Sequence, residues 1–154
     1  MTTENTREML ASLATELTIL KDQENRFQFS HFTAQDIWEL GTQMAQTAIA
    51  RELPIAISIR LFSGVTAFQF CCEGTNLNNE IWMKRKERTV REMEMSSLRM
   101  YTEFELAGVT MEEKLMDRYE YACCGGGFPA DQRRCDRRDH CLRPAAQRRS
   151  SIHH

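Results

Sequence analysis

The stretch LPIAISIRLFSGVTAFQFC, residues 53–71, determines the fold class of this chain. Pro54 ends any helix before it, because proline lacks the N–H that a helix interior needs. Three isoleucines then stand at alternate positions, which is the period of a half-buried strand. The Ser-Gly pair at 63–64 is typical of a hairpin turn, and residues 65–71 follow as its second strand. The stretch predicts an antiparallel β-hairpin.

Helical periodicity flanks the hairpin on both sides. Apolar residues repeat at helical spacing over 4–23, which predicts an amphipathic helix. Thr33 begins a capping-box pattern, and the helix that it opens reaches about Arg51. After the hairpin, one long helix is predicted over roughly 79–106, and Thr110 caps a further short helix.

This order of elements predicts an α/β (α+β) fold around a mainly antiparallel sheet. A two-stranded hairpin alone is only marginally stable, so further strands are expected to follow Pro129. An arginine-rich tail stands there instead.

Charge is distributed unevenly along the 154 residues. Seven arginines and three aspartates give residues 131–154 a charge of +4, and since the whole chain carries −2, the rest carries −6. This excess of negative charge over residues 1–130 argues against a nucleic-acid-binding surface in that part of the chain. We find no apolar run of membrane-spanning length and no secretory signal, so we expect a cytoplasmic protein without membrane insertion and with free thiols.

The glycine-rich segment 123–129, CCGGGFP, has two interpretations. Glycines allow backbone amides to approach an anion or cofactor, so it is compatible with a ligand loop. It lacks the lysine and Ser/Thr of a phosphate-binding P-loop and the spacing of a dinucleotide fingerprint. A tight turn before a strand explains the same residues, and the sequence favours that interpretation.

Other candidate sites are weaker. Cys123, Cys124, Cys135, His140 and Cys141 include no CxxC pair, so no metal site is predicted. No catalytic triad or acid–base pair can be assembled, so no catalytic residue is assigned.

Near the start of the long helix, Trp82, Arg85 and Lys86 have the composition of a basic–aromatic anion site. A core tryptophan beside a solvated charged face is the simpler interpretation of this group.

Several stretches, taken in order, resemble a known family. They are Thr33-x-x-Asp36, Leu53–Arg60, Glu73-Gly-Thr75, Asn79-x-x-Trp82-x-x-Arg-Lys86, Val90, Ser96-Ser97 and Tyr121-Ala-x-x-Gly-Gly-x-Phe-Pro129. This set resembles the small uncharacterised cytosolic family, of the UPF0303 type, related to the GlcG/HbpS-like haem-degrading domain. The resemblance covers about residues 5–130.

The resemblance implies a profilin-like three-layer α/β/α sandwich with a central antiparallel sheet, usually assembled into homo-oligomers. It also implies haem as a possible cofactor and, from one branch, a partner in the chaperone pathway for tail-anchored proteins. Relatives carry histidine where this chain has Cys124. The candidate cofactor-binding residues are therefore Cys124, Gly125, Gly126, Trp82 and Lys86.

The tail from 131 to 154 is predicted to be a frameshift product, disordered in composition and not part of the 1–130 domain. Read one nucleotide later, residues 131–141 can encode Ile-Ser-Gly-Val-Ala-Ile-Gly-Ala-Ile-Thr-Val, followed by Ser-Gly-Leu-Pro and soon by Asp-His. This out-of-frame sequence has the alternating apolar pattern of a strand, and it then matches the family's Val-Ser-Gly-Leu-Pro turn and Asp-His pair.

Three functions follow, in order of preference. The first is an oligomeric ligand-binding or adaptor protein without autonomous catalysis; a chaperone-pathway adaptor for tail-anchored proteins is a further alternative that the resemblance implies. The second is a haem-binding or haem-degrading protein that uses the 121–129 loop. The third is nucleic-acid binding through the basic tail, which would be confined to residues 131–154.

Overall fold

A computed structural model describes residues 3–130 of the chain. Over this range the elements are α1 (Thr3–Arg26), α2 (Ala34–Ala50), β1 (Ala56–Arg60), β2 (Thr66–Cys71), α3 (Leu77–Met93) and α4 (Ser97–Ala107), followed by a 3₁₀ turn at Glu112–Lys114. The predicted α+β class is confirmed. The arginine-rich tail and the predictions that concern it lie outside the described residues.

Strands β1 and β2 form the predicted antiparallel hairpin. Ile57 lies opposite Phe70 and Ile59 opposite Phe68, and a register shift follows Ile59. Because successive side chains of a strand point to opposite faces, these four apolar residues share one face. Helix α2 covers that face, and its Ala45 packs in a buried cluster that includes Ile57.

Helix α3 covers the other face of the hairpin through an ion-pair network. The Arg60 side chain is only 11% exposed and lies between two carboxylates of α3, 2.8 Å from Glu80 and 2.9 Å from Glu87. Gln69 of β2 also donates to Glu80. Helices therefore lie on both sides of the antiparallel hairpin, in the three-layer order predicted from the resemblance.

The capping box at the start of α2 is confirmed. The Thr33 hydroxyl accepts from the Asp36 N–H, and the Asp36 carboxylate accepts from the Thr33 N–H at 2.7 Å. The Thr33 hydroxyl also donates to the Asp36 carboxylate at 2.7 Å, and this bond together with the one from the Thr33 N–H lowers the pKa of the Asp36 carboxyl. Thr110 and Glu113 form the same reciprocal arrangement before the 3₁₀ turn.

The prediction of one long helix over 79–106 was wrong. The chain leaves the helix at Glu94, whose φ of 54° is left-handed, and a new helix starts after the N-cap Ser96. The Ser96 hydroxyl accepts from the Arg99 N–H, and its own N–H donates to the carboxylate of Glu24 in α1 at 2.7 Å. The break thus lets α4 turn onto α1.

Within residues 3–130, no helix combines the length and the apolar character needed to cross a membrane. Four cysteines in this range carry free thiols: Cys71, Cys72, Cys123 and Cys124.

Candidate ligand site

The glycine segment is anchored at the break between α3 and α4. The Ser97 hydroxyl is fully buried; it donates to the Cys124 carbonyl at 2.5 Å and accepts from the Gly127 N–H at 3.0 Å. The Ser97 N–H donates in turn to the Gly127 carbonyl. One serine therefore closes the turn that contains Gly125 and Gly126.

A second buried hydroxyl holds the start of the segment. Thr89, in the middle of α3, is fully buried and exchanges hydrogen bonds with both backbone groups of Ala122, at 3.1 and 3.2 Å. Thr89 and Ser97 together fix residues 122–127 along one side of α3. The segment is thus held in place before any ligand arrives.

Lys86 lies directly over the glycine turn. A Cβ built on Gly126 would stand 3.1 Å from the Lys86 Nζ, and Gly126 has a left-handed φ of 112°. A Cβ on Gly127 would stand 2.9 Å from both Val90 Cγ2 and Ser97 Oγ. Glycine is therefore required at 126 for the backbone conformation and at 127 for the close approach to α3.

Lys86 is half-buried as a residue, and its ammonium has no hydrogen-bond or ion-pair partner among residues 3–130. Trp82, one helical turn earlier on the same face of α3, is 38% exposed. The structure thus brings Lys86 together with Gly126 and places Trp82 beside them. A half-buried lysine with no counter-charge among the described residues favours an anionic group at this position.

Arg85 is not available for the predicted anion site. Its guanidinium donates to the Tyr121 carbonyl at 3.2 Å and also to the Arg118 carbonyl. It also stacks over the Trp82 ring, 4.2 Å from the ring centroid. Arg85 therefore anchors the approach to the glycine segment, and only Lys86 of the two basic residues remains without a partner in the described chain.

The two adjacent cysteines differ in environment. Burial raises the pKa of the Cys123 thiol to about 11, and the nearby Cys124 adds to the shift. Cys123 packs against the apolar cluster of Met100, Phe104 and Met116. It is therefore a protonated thiol at neutral pH, which leaves Cys124, half-buried at the turn, as the candidate soft ligand.

A haem group fits these residues in part. Lys86 and the glycine turn suit a carboxylate such as a propionate, and Trp82 offers an aromatic surface. Two grooves found within residues 3–130, of about 350 and 370 Å³, lie elsewhere: one lies between α2 and β1, and the other is at 112–119. The described residues therefore support the carboxylate end of a ligand more directly than a slot for its ring.

Sequence reasoning missed the two hydroxyl anchors, Thr89 and Ser97. A signal for Thr89 was present, because it lies seven residues after Trp82 and three after Lys86, on the same helical face. A small polar residue within an otherwise amphipathic helix competes for backbone hydrogen bonds. Its hydrogen-bond partner Ala122, 33 positions further along the chain, carried no such signal.

Replacing Ser97 with alanine is expected to loosen the glycine turn. The Gly127 N–H loses its hydroxyl acceptor, so its hydrogen-exchange rate should rise by about tenfold, the equivalent of about 1.4 kcal/mol. Thr110→Ala, which removes the cap of the distant 3₁₀ turn, is the matched control and should leave Gly127 exchange unchanged. Unchanged exchange in Ser97→Ala itself would contradict this anchoring role.

Comparisons with known proteins agree on one family. The family model described as "Haem degrading protein HbpS-like" matches residues 32–135. A UPF0303 protein of Streptomyces coelicolor is 36% identical over 111 residues, which are 71% of this chain and 70% of that protein. A UPF0303 protein of Paraburkholderia phytofirmans is 33% identical over 118 residues, 76% of this chain and 71% of that protein.

A solved structure is similar over most of the chain. The crystal structure of Ybr137w protein superposes with a TM-score of 0.69 and is 32% identical, covering 86% of this chain and 80% of that one.

Proposed function

The chain belongs to the HbpS-like family, and from that premise we propose that it is a ligand-binding protein that holds a carboxylate-bearing ligand on the glycine turn. The observation that carries this proposal is the Lys86 ammonium over Gly126, which has no partner within residues 3–130. Thr89 and Ser97 fix the turn beforehand, so little conformational entropy is lost when a ligand binds. No catalytic residue is part of the proposal.

Haem is the ligand with which to begin, because the matching family model is described as a haem-degrading protein. In this proposal Lys86 would hold a propionate, and Cys124 would supply a soft thiolate ligand in place of the histidine of relatives. When bound, haem would supply the redox and spectroscopic properties of its iron. The residues of this chain would bind and orient it.

An adaptor role in the chaperone pathway and assembly into a homo-oligomer remain secondary proposals. Both are supported by the family relationship, and neither depends on the geometry of Lys86.

The test is a haem titration followed by the Soret band. Lys86→Met should weaken binding by about tenfold, because a charge-assisted hydrogen bond to a partly buried group is worth about 1.5–3 kcal/mol. Lys84→Met is the matched control: Lys84 is exposed and pairs with Glu80 at 3.7 Å, and its removal should leave affinity unchanged.

Cys124→Ala separates iron contact from carboxylate binding. If Cys124 contacts the iron, the variant should shift the Soret maximum while keeping most of the affinity. Equal affinities of Lys86→Met and Lys84→Met, for haem and for smaller carboxylates alike, would contradict the proposed site.

A further inference from the structure

Helix α1 packs on the rest of the described chain through its last two turns. No residue from 4 to 19 is buried, whereas Leu20 is 8% and Glu24 is 6% exposed. Its helical neighbour there is α4, the helix whose start anchors the glycine turn. The end of α1 therefore lies where it can influence the candidate ligand site.

Gln28, in the connector just after α1, joins that helix to the chain that leaves the glycine turn. Its side-chain NH₂ group has two hydrogens, and it donates to the Glu24 carbonyl at 2.6 Å and to the Pro129 carbonyl at 2.9 Å. The next residue, Phe29, donates its N–H to the Ala130 carbonyl at 3.1 Å. Gln28 and Phe29 are both half-buried, so water is partly excluded from these bonds.

Glu24 holds the other side of the same turn through two consecutive serines. Its carboxylate accepts from the Ser96 N–H at 2.7 Å. Ser97, the next residue, accepts from the Gly127 N–H at 3.0 Å. One residue of α1 thus contacts both attachments of the turn, because its carbonyl accepts from Gln28 and its carboxylate accepts from Ser96.

We infer that Glu24 and Gln28 are positioning residues of the ligand site, and that the docked end of α1 holds the glycine turn in its binding shape. Thr89 and Ser97 hold residues 122–127, and Gln28 holds the chain directly after them. A turn held on both sides loses less conformational entropy when a ligand binds than a mobile one does. This inference rests on the proposed function for its ligand, but the hold on the turn is measurable without any ligand.

The first measurement is hydrogen exchange of the full chain without ligand. Gln28→Met keeps the length of the side chain and removes both donors, so the Gly127 N–H should exchange about fivefold faster. Gln28→Lys keeps a donor for the Pro129 carbonyl and should restore most of the protection. Gln23→Ala, at an exposed position of α1, is the matched control and should leave the exchange of Gly127 unchanged.

The second measurement is a haem titration of the same variants, followed by the Soret band. Gln28→Met should weaken binding about fivefold, whereas Gln28→Lys and Gln23→Ala should bind as the wild type does. A further control separates positioning from stability. Gly41→Ala places a Cβ against Phe68 of β2, and it should lower stability without changing haem affinity, because a marginally destabilised domain is still almost entirely folded.

Coupling between the end of α1 and the ligand site must act in both directions. If haem prefers the held form of the turn, excess haem should slow exchange of the Phe29 N–H several-fold, because its acceptor Ala130 belongs to the chain that Gln28 holds. A purely structural role of Gln28 would leave the exchange of Phe29 the same with and without haem, and that result would contradict the inference.

The remaining outcomes distinguish this inference from the proposed function. Equal Gly127 exchange in Gln28→Met and Gln23→Ala would show that α1 does not hold the turn. Faster exchange with unchanged haem affinity in Gln28→Met, while Lys86→Met weakens binding, would overturn the positioning role and leave the proposed function standing. Unchanged affinity in Lys86→Met would remove the proposed function and the positioning role together. Where circular dichroism shows that Gln28→Met does not fold, Glu24→Gln takes its place in both measurements, with the same expected results.

Discussion

Replacing Gly41 with alanine is expected to destabilise the domain by about 1–3 kcal/mol, in the range of overpacked cores. Gly41 lies in the interior of α2 and is buried. A Cβ there would stand 2.5 Å from Cγ of Phe68 and 2.6 Å from both Cδ atoms of its ring. These atoms lie near the base of a side chain held by β2, so the helix itself must move away from the sheet.

The sign of the effect makes this test informative. Glycine to alanine inside a helix ordinarily stabilises it by about 1 kcal/mol. Urea unfolding should show the opposite here, whereas Gln46→Ala, at an exposed position of α2, should change stability by less than about 0.5 kcal/mol. Adding Phe68→Leu to Gly41→Ala should recover part of the loss. A stabilised Gly41→Ala variant would show that α2 does not rest on Phe68.

Local patterns predicted the elements that local interactions determine. The hairpin followed from alternation and a Ser-Gly turn, and the start of α2 followed from Thr33 and Asp36, three residues apart. Interactions across the chain were not predictable in this way. The break after α3 depends on Glu24, which is 72 positions from Ser96, and the need for glycine at 41 depends on Phe68.

The candidate ligand site likewise combines residues that local patterns identify with contacts that those patterns do not reveal. Lys86, Gly125 and Gly126 were identifiable as residue types suited to an anion, and the structure brings Lys86 onto Gly126. The same patterns identified Arg85 as an equally suitable anion-binding residue. Only its hydrogen bonds to two backbone carbonyls exclude it from that role. The predicted frameshift concerns residues outside the described range and stays a prediction, which the nucleotide sequence across codons 128–132 would decide.

Replacing Glu24 with glutamine is expected to cost about 2–4 kcal/mol at pH 7, because it removes one partner of a buried ion pair. Glu24 is 6% exposed and accepts from the Ser96 N–H at 2.7 Å and from Arg99 at 2.8 Å. A glutamine amide can accept from one of these donors, but its NH₂ group then faces the other. Glu16→Gln, on the exposed surface of α1, is the control and should be nearly neutral.

The loss of folding stability in Glu24→Gln should depend on pH, in a direction set by the pKa of Glu24. Burial raises this pKa, but the hydrogen bond from the Ser96 N–H and the interactions with Arg99 outweigh burial and bring it below the ordinary 4.5. A carboxyl with a lowered folded-state pKa stabilises the protein above its unfolded pKa and loses that contribution as pH falls through the folded value. Arg99 stays charged throughout, and Glu103, its other partner, is retained in both proteins.

The stability gap between wild type and Glu24→Gln should therefore be largest at neutral pH and narrow below about pH 4.5. Urea unfolding at several pH values from 3 to 7 measures it, and taking the difference removes the contributions of other titrating carboxyls such as Asp36 and Glu80. A gap that stays constant over this range would mean that Glu24 acts through packing alone. Because the same carboxylate joins α1 to the start of α4, the narrowing should coincide with faster hydrogen exchange at Ser96, whose N–H it accepts.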